Sequence, residues 1–142
     1  RTEVGRWLRA NAAPQDTVFL EPLGYIGYFS RLRMRDYPGL VSPATVAALR
    51  GGKSSFAEAA LTLQPDWIVL RAHETKMFQN KPRFEEEYHL AARFNVRDRL
   101  LANGPFPGLS FPWFDAEYLV FRKQPATAEP APQNPFSIGE SR

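Results

Sequence analysis

The four residues Trp67-Ile68-Val69-Leu70 form a continuously apolar run, fenced by Pro65-Asp66 before it and by the polar stretch Arg71 to Lys81 after it. A run this short and this apolar marks a strand covered on both faces, since a one-sided strand alternates and a helix needs more length. The residues ahead of it carry a helical pattern. Ser55 and Glu58 have capping-box spacing, and Phe56, Ala59, Ala60 and Leu63 recur as one apolar face. Helix followed by doubly covered strand is the repeating unit of a parallel sheet, so the run points to an α/β fold with helices on both faces.

Thr17 to Ala44 extends the pattern. Val18-Phe19-Leu20 reads as a strand, broken by Glu21, Pro22 and Gly24. Tyr25 to Phe29 reads as a brief helix, with Gly24 and Gly27 expected to let it pack closely on the sheet. Leu32 to Asp36 alternates apolar and basic residues as a second strand, and Tyr37-Pro38-Gly39 turns the chain. Ser42-Pro43 is an N-cap and first-position pair, opening a helix that reaches Arg50 and stops at Gly51-Gly52. Upstream, Thr2 to Ala12 reads as a helix with Val4, Trp7 and Leu8 on one face, ended by Pro14. It starts at residue 1 without a clear cap, as a helix cut from a longer one would.

Beyond the buried run, Arg71 to Lys81 reads as a loop and Pro82 to Glu87 as a short helix carrying Phe84. Tyr88 to Val96 reads as a fourth strand and Glu117 to Arg122 as a fifth, the two expected to pair as an antiparallel edge. Between them, Leu100 to Asp115 interleaves Pro105, Pro107 and Pro112 with Phe106, Phe111, Trp113 and Phe114. Proline at that density is expected to exclude regular structure. Residues 1–123 are thus expected to form one three-layer, Rossmann-like sandwich around a mixed sheet of about five strands, the first three parallel. Residues 124–142, rich in Pro and Ala, are expected to be extended or disordered.

The chain has 142 residues, 44% hydrophobic and 13% aromatic, enough for one such domain with a real core. Cysteine is absent, which removes disulfides and thiolate chemistry. The net charge of +3 suits an anionic neighbour such as a membrane surface, whereas a nucleic-acid reader shows a denser basic stripe, so no nucleic-acid partner is expected. No run of about 20 apolar residues is present, the length a membrane-crossing helix needs.

Ligands of open α/β sheets sit beyond the carboxyl ends of the parallel strands. There the sequence sets Glu21, Asp36 and the pair Arg71 and His73, with Tyr25 and Glu74 nearby. Glu21, Tyr25, Asp36, Arg71 and His73 are therefore the candidate binding residues. The plainer reading is that loops are polar, that Asp36 merely ends a strand and that His73 is solvated. Gly24-x-x-Gly27 lacks the first glycine pair of a dinucleotide loop, G-x-G-x-x-G, and the acidic residue comes too soon. Gly52-Lys53-Ser54 matches the end of a P-loop, but Ala47 stands where its first glycine belongs. His73 and His89 are the two histidines, so without cysteine a zinc site would need both plus carboxylates, and His89 is expected within an edge strand. No G-x-S-x-G elbow occurs. No cofactor, no metal and no catalytic residue is assigned. Trp7, Phe106, Phe111, Trp113 and Phe114 are the candidates for contact with a membrane or partner, the alternative being that the 106–114 loop covers the open face of the sheet.

Five stretches resemble a known family: Trp7 to Arg9, Gly24 to Ser30, Asp36 to Leu40, Pro65 to Val69, and Tyr118 to Arg122. They are similar to the extracytoplasmic C-terminal domain of bacterial GT-C-type membrane glycosyltransferases, which use polyprenyl-phosphate sugars. The protein mannosyltransferase-like and lipid A aminoarabinose transferase-like families are examples. In that family the catalytic acid lies in loops between transmembrane helices. The resemblance therefore implies a non-catalytic periplasmic domain at a bacterial inner membrane, partnered by the transmembrane portion of its own chain and assisting a polyprenyl-phosphate sugar or a glycan acceptor. Residues 99–116 have no counterpart in it. The alternatives are a free-standing small-molecule enzyme using the same strand edge, with a closed pocket and a perturbed carboxylate or histidine, and a purely structural or partner-docking module.

Overall fold

The computed structural model describes residues 1–52, 55–102, 104 and 107–125, and of Phe111 the backbone alone. Five strands form one sheet: β1 (Thr17–Leu20), β2 (Arg33–Asp36), β3 (Trp67–Arg71), β4 (Tyr88–Asn95) and β5 (Glu117–Lys123), in the order β2-β1-β3-β5-β4. β1 is parallel to β2 over Thr17↔Arg33 to Leu20↔Asp36, and parallel to β3 through Val18↔Trp67 and Phe19↔Ile68. β5 runs antiparallel to β3, with Arg71 opposite Tyr118. β4 is antiparallel to β5, with Asn95 opposite Glu117 and a register shift between Leu90 and Ala92. The mixed sheet with its antiparallel side is thus the expected α/β fold. One geometric consequence matters for the site: β1, β2, β3 and β4 all end, and β5 begins, on the same edge.

The helices are α1 (Thr2–Asn11), α2 (Leu23–Ser30), α3 (Pro43–Arg50), α4 (Phe56–Leu63), α5 (Pro82–Glu87), α6 (Arg97–Ala102) and α7 (Ser110–Phe114). Strand residues alternate between two cores, as the two-residue side-chain period of a strand requires. Trp67 and Val69 join Val18, Leu20, Tyr118 and Val120 against Val4 and Leu8 of α1 and Ile26 of α2. Ile68 and Leu70 join Phe19 on the other face, against Phe56, Ala59 and Ala60 of α4 and Phe84 of α5. Trp67 to Leu70 are at most 1% exposed, as a strand covered on both faces must be. Trp7 is half-buried and closes the first core edge-on, its ring 5.8 Å from Trp67 and 6.2 Å from Phe94.

Local chemistry explains the helix starts. Ser42 Oγ accepts from Thr45 N at 3.3 Å with Pro43 behind it, and Ser55 Oγ accepts from Glu58 N at 3.2 Å. α1 crosses α2 at Gly5, where a Cβ would meet Phe29 Cβ at 2.8 Å and the Ile26 carbonyl at 2.9 Å. Only glycine lets the two backbones approach so closely.

Three expectations are corrected. Gly27 is close-packed, its missing Cβ 3.3 Å from Met34 Cγ, but Gly24 has nothing within 4 Å and faces open space. Arg71 to Lys81 is not loop throughout: Ala72–Phe78 forms a 3₁₀ helix, fixed because Glu74 Oε2 accepts from Arg71 N at 2.7 Å and Phe78 is buried in the second core. Leu100 to Asp115 is also partly regular, ending α6 and holding all of α7. Pro112 is the third residue of α7, inside the first turn, where the backbone N–H it lacks would have had no intrahelical acceptor. Lys53, Ser54, Phe106 and the tail from 126 to 142 lie outside the described residues. Among the described residues no helix is long and apolar enough to cross a membrane.

Candidate functional site

The edge where four strands end and β5 begins gathers an ion-pair cluster around Arg71. Arg71 is the last residue of β3, Glu21 follows β1, and Asp115 precedes β5. The guanidinium donates through Nε to Asp115 Oδ1 at 2.8 Å and through Nη1 to Glu74 Oε1 at 2.7 Å, while Nη2 pairs with Glu21. Arg1, at the start of α1, pairs with the other oxygen of Asp115 and donates its Nε to the Tyr118 hydroxyl at 3.0 Å. That hydroxyl in turn donates to Asp115 Oδ1 at 2.7 Å.

Three carboxylates thus face two guanidiniums. Burial works against the charge of Arg71, but the hydrogen bond to Asp115 and the charges of Glu74 and Glu21 outweigh it and raise its pKa further, so it stays cationic. Burial also works against ionised Asp115. The bonds from Tyr118 and Arg71 and the charges of Arg1 and Arg71 win, and hold its carboxyl below the usual range. Burial and the bond to Asp115 push the Tyr118 phenol up to about 12. With every side-chain nitrogen of Arg71 engaged by a carboxylate, this cluster is built to fix three loops rather than to seize a phosphate.

The other candidates part company from it. Asp36 is fully buried, its oxygens accepting from Leu40 N at 2.5 Å and Val41 N at 3.0 Å. Its carboxylate anchors the turn after β2. His73 is exposed and sets its ring edge-on to Phe114 at 5.3 Å. Tyr25 is exposed and lies parallel to Phe29, their centroids 6.4 Å apart, beside a shallow groove of about 290 Å³ shared with Gly24 and Tyr28. A cleft of about 690 Å³ opens between Gly39 and Arg50 and carries Arg50 as its titratable side chain, away from the groups whose pKa is perturbed. Among the described residues no group of three or more His, Asp or Glu side chains could hold a metal ion.

Sequence reasoning missed Asp115, Tyr118 and Arg1 as members of the cluster. Asp115 reaches the edge because β5 runs antiparallel to β3, a pairing that no local pattern encodes. A second ionic group was equally hidden. Glu117, 3% exposed, takes Arg93 and, at 3.1 Å, Arg97, whose guanidinium carbon lies 5.3 Å from the centre of the Trp113 ring. Of the membrane-contact candidates, Trp113 and Phe114 are exposed, Trp7 is in the core wall, Phe111 has no described side chain and Phe106 is not described.

A family model described as "Domain of unknown function (DUF8728)" matches residues 1–121. No curated protein and no solved structure matches the chain.

Proposed function

The chain belongs to the DUF8728 family, a domain of unknown function, and we propose that it is the non-catalytic extracytoplasmic C-terminal domain of a bacterial membrane glycosyltransferase. In this reading it lies on the periplasmic side of the inner membrane. It helps to hold a polyprenyl-phosphate sugar or glycan acceptor beside a reaction centre housed in the transmembrane portion of the same protein.

The observation that carries the reading is the make-up of one edge of the sheet. Tyr25, Leu40, Val41 and Phe114 are each more than half exposed there, around an ion-pair cluster that is already complete. Scattered exposed apolar residues need no explanation, but a group of them on one rim suits a covered surface. α1 also begins at this rim, because Arg1 reaches Asp115 and Tyr118. A membrane segment joined ahead of Arg1 would therefore arrive beside the exposed apolar side chains. Of the five stretches that resemble the glycosyltransferases, Gly24 to Ser30 starts at this rim and Asp36 to Leu40 lies on it, while the others belong to α1, β3 and β5.

The parent gene provides the test. Upstream of Arg1 it is expected to encode several apolar segments of about 20 residues each. In the intact enzyme, Tyr25→Ser together with Leu40→Ser is expected to lower sugar transfer while the protein still inserts and folds. An initiator methionine just ahead of Arg1, with no such segments, would overturn the reading.

A further inference from the structure

We propose that α6 and α7 form a basic and aromatic foot that seats the domain on the anionic headgroup layer of a bilayer. The proposal rests on the membrane setting argued above, and it names the partner of that rim. α6 is Arg97-Asp98-Arg99-Leu100-Leu101-Ala102 and buries none of its residues. It packs against α7, and together they present Leu101, Trp113 and Phe114, which are 57%, 39% and 62% exposed. Beside these apolar groups stand Arg93, Arg97 and Arg99; the one acid within α6 and α7 themselves is Asp98, Asp115 after α7 is already paired with Arg1 and Arg71, and Glu117 is buried.

Arg97 joins the two chemistries. Its guanidinium sits over the Trp113 ring and its Nη1 is braced by Glu117. Its Nε–H is buried and has no hydrogen-bond acceptor among the described residues, so it is the exposed part of the guanidinium, in a side chain 38% exposed, that can face a headgroup. Aromatic rings favour the boundary between headgroups and acyl chains, and arginines beside them can meet phosphodiesters. A helix-binding protein groove would need an apolar face several turns long, and helices of six and five residues do not offer one.

The 142-residue chain is mixed with phosphatidylcholine vesicles, with or without about 30% phosphatidylglycerol, and followed by cosedimentation and tryptophan emission. Binding is expected on the anionic vesicles alone, with emission shifting to the blue as Trp113 leaves water, and it should weaken as salt rises. Trp113→Ala with Phe114→Ser is expected to abolish binding. Arg99→Gln should weaken it roughly fivefold, the equivalent of one arginine near an anionic surface. Arg97→Gln should do at least as much; because it also releases Glu117, its far-ultraviolet circular dichroism is compared with that of the parent chain. No binding to either vesicle, equal binding to both, or undiminished binding by the Trp113/Phe114 variant overturns the foot. Failure here, with membrane segments present upstream in the gene, leaves the glycosyltransferase reading intact. Binding here without such segments overturns that reading and keeps the foot.

Discussion

Replacing Arg71 would leave Glu21, Glu74 and Asp115 facing one another with Arg1 as the remaining cation. The Arg71 and Glu74 side chains are only 16% and 5% exposed, whereas Glu21 is 42% exposed and can turn to water. The loss therefore falls at the low end for a broken buried pair. Arg71→Met is expected to cost about 3 kcal/mol in urea unfolding at neutral pH. The same variant should change the acid limb. Because the folded carboxyl of Asp115 sits below its unfolded value, it adds stability at pH values above the unfolded one. That contribution fades below about pH 4, as pH falls through the folded value. Without Arg71 the depression shrinks, so stability plotted against pH should be flatter in that window. An unchanged slope would show that Asp115 is held by Arg1 and Tyr118 without Arg71.

Among the elements, how much the sequence reveals depends on whether a feature is local. The alternating cores of β3, the Ser42 and Ser55 caps and the end of α3 are written in adjacent residues, and the structure has them where the pattern put them. Helix crossings are not local. Gly24 and Gly27 looked equivalent, yet Gly27 touches Met34 while Gly24 faces open space, and Gly5 turned out to be the tightest of the three. The difference is testable because the signs oppose. Gly24→Ala should stabilise by about 0.5–1 kcal/mol through reduced backbone freedom in a helix. Gly5→Ala gains a similar helix term, but its Cβ would press on a backbone carbonyl that cannot swing aside. Overpacking of about 1–3 kcal/mol should win. Thermal unfolding should therefore shift up for the first and down for the second. Asp36 belongs to the same scale. It looked like a site residue from its strand-end position, yet it satisfies two amides of the next turn. Asp36→Ala should cost about 2 kcal/mol and speed amide exchange at Leu40 and Val41. Native exchange at those two amides would show that the turn holds without its carboxylate.

Across the whole molecule, the two edges of the sheet are secured by different chemistry. The edge opposite the rim is stapled by side-chain hydrogen bonds: Thr17 N to Asp66 at 2.7 Å, Trp67 Nε1 to Asp16 at 2.8 Å, and the Tyr88 hydroxyl to the Pro65 carbonyl at 2.9 Å. The rim is held by ions and leaves Tyr25, Leu40, Val41, Trp113 and Phe114 in water. This asymmetry was invisible in the sequence because it needs β5 to turn back beside β3, which brings Asp115, α7 and the start of α6 to the edge where β1 and β2 also finish. It also gives the molecule a direction. If the rim meets a bilayer, protection from hydrogen exchange in the vesicle-bound chain should concentrate in α6, α7 and the amides of Leu40 and Val41. The strand starts at Thr17 and Trp67 and the hydrogen bond from Gln124 N to the Glu87 carbonyl, at 2.7 Å on the far edge, should exchange as they do in solution. Protection spread evenly over both edges would mean loose adsorption, and protection confined to the far edge would reverse the orientation. Only the one-sided pattern fits a domain whose entering helix and uncovered aromatic residues share a rim.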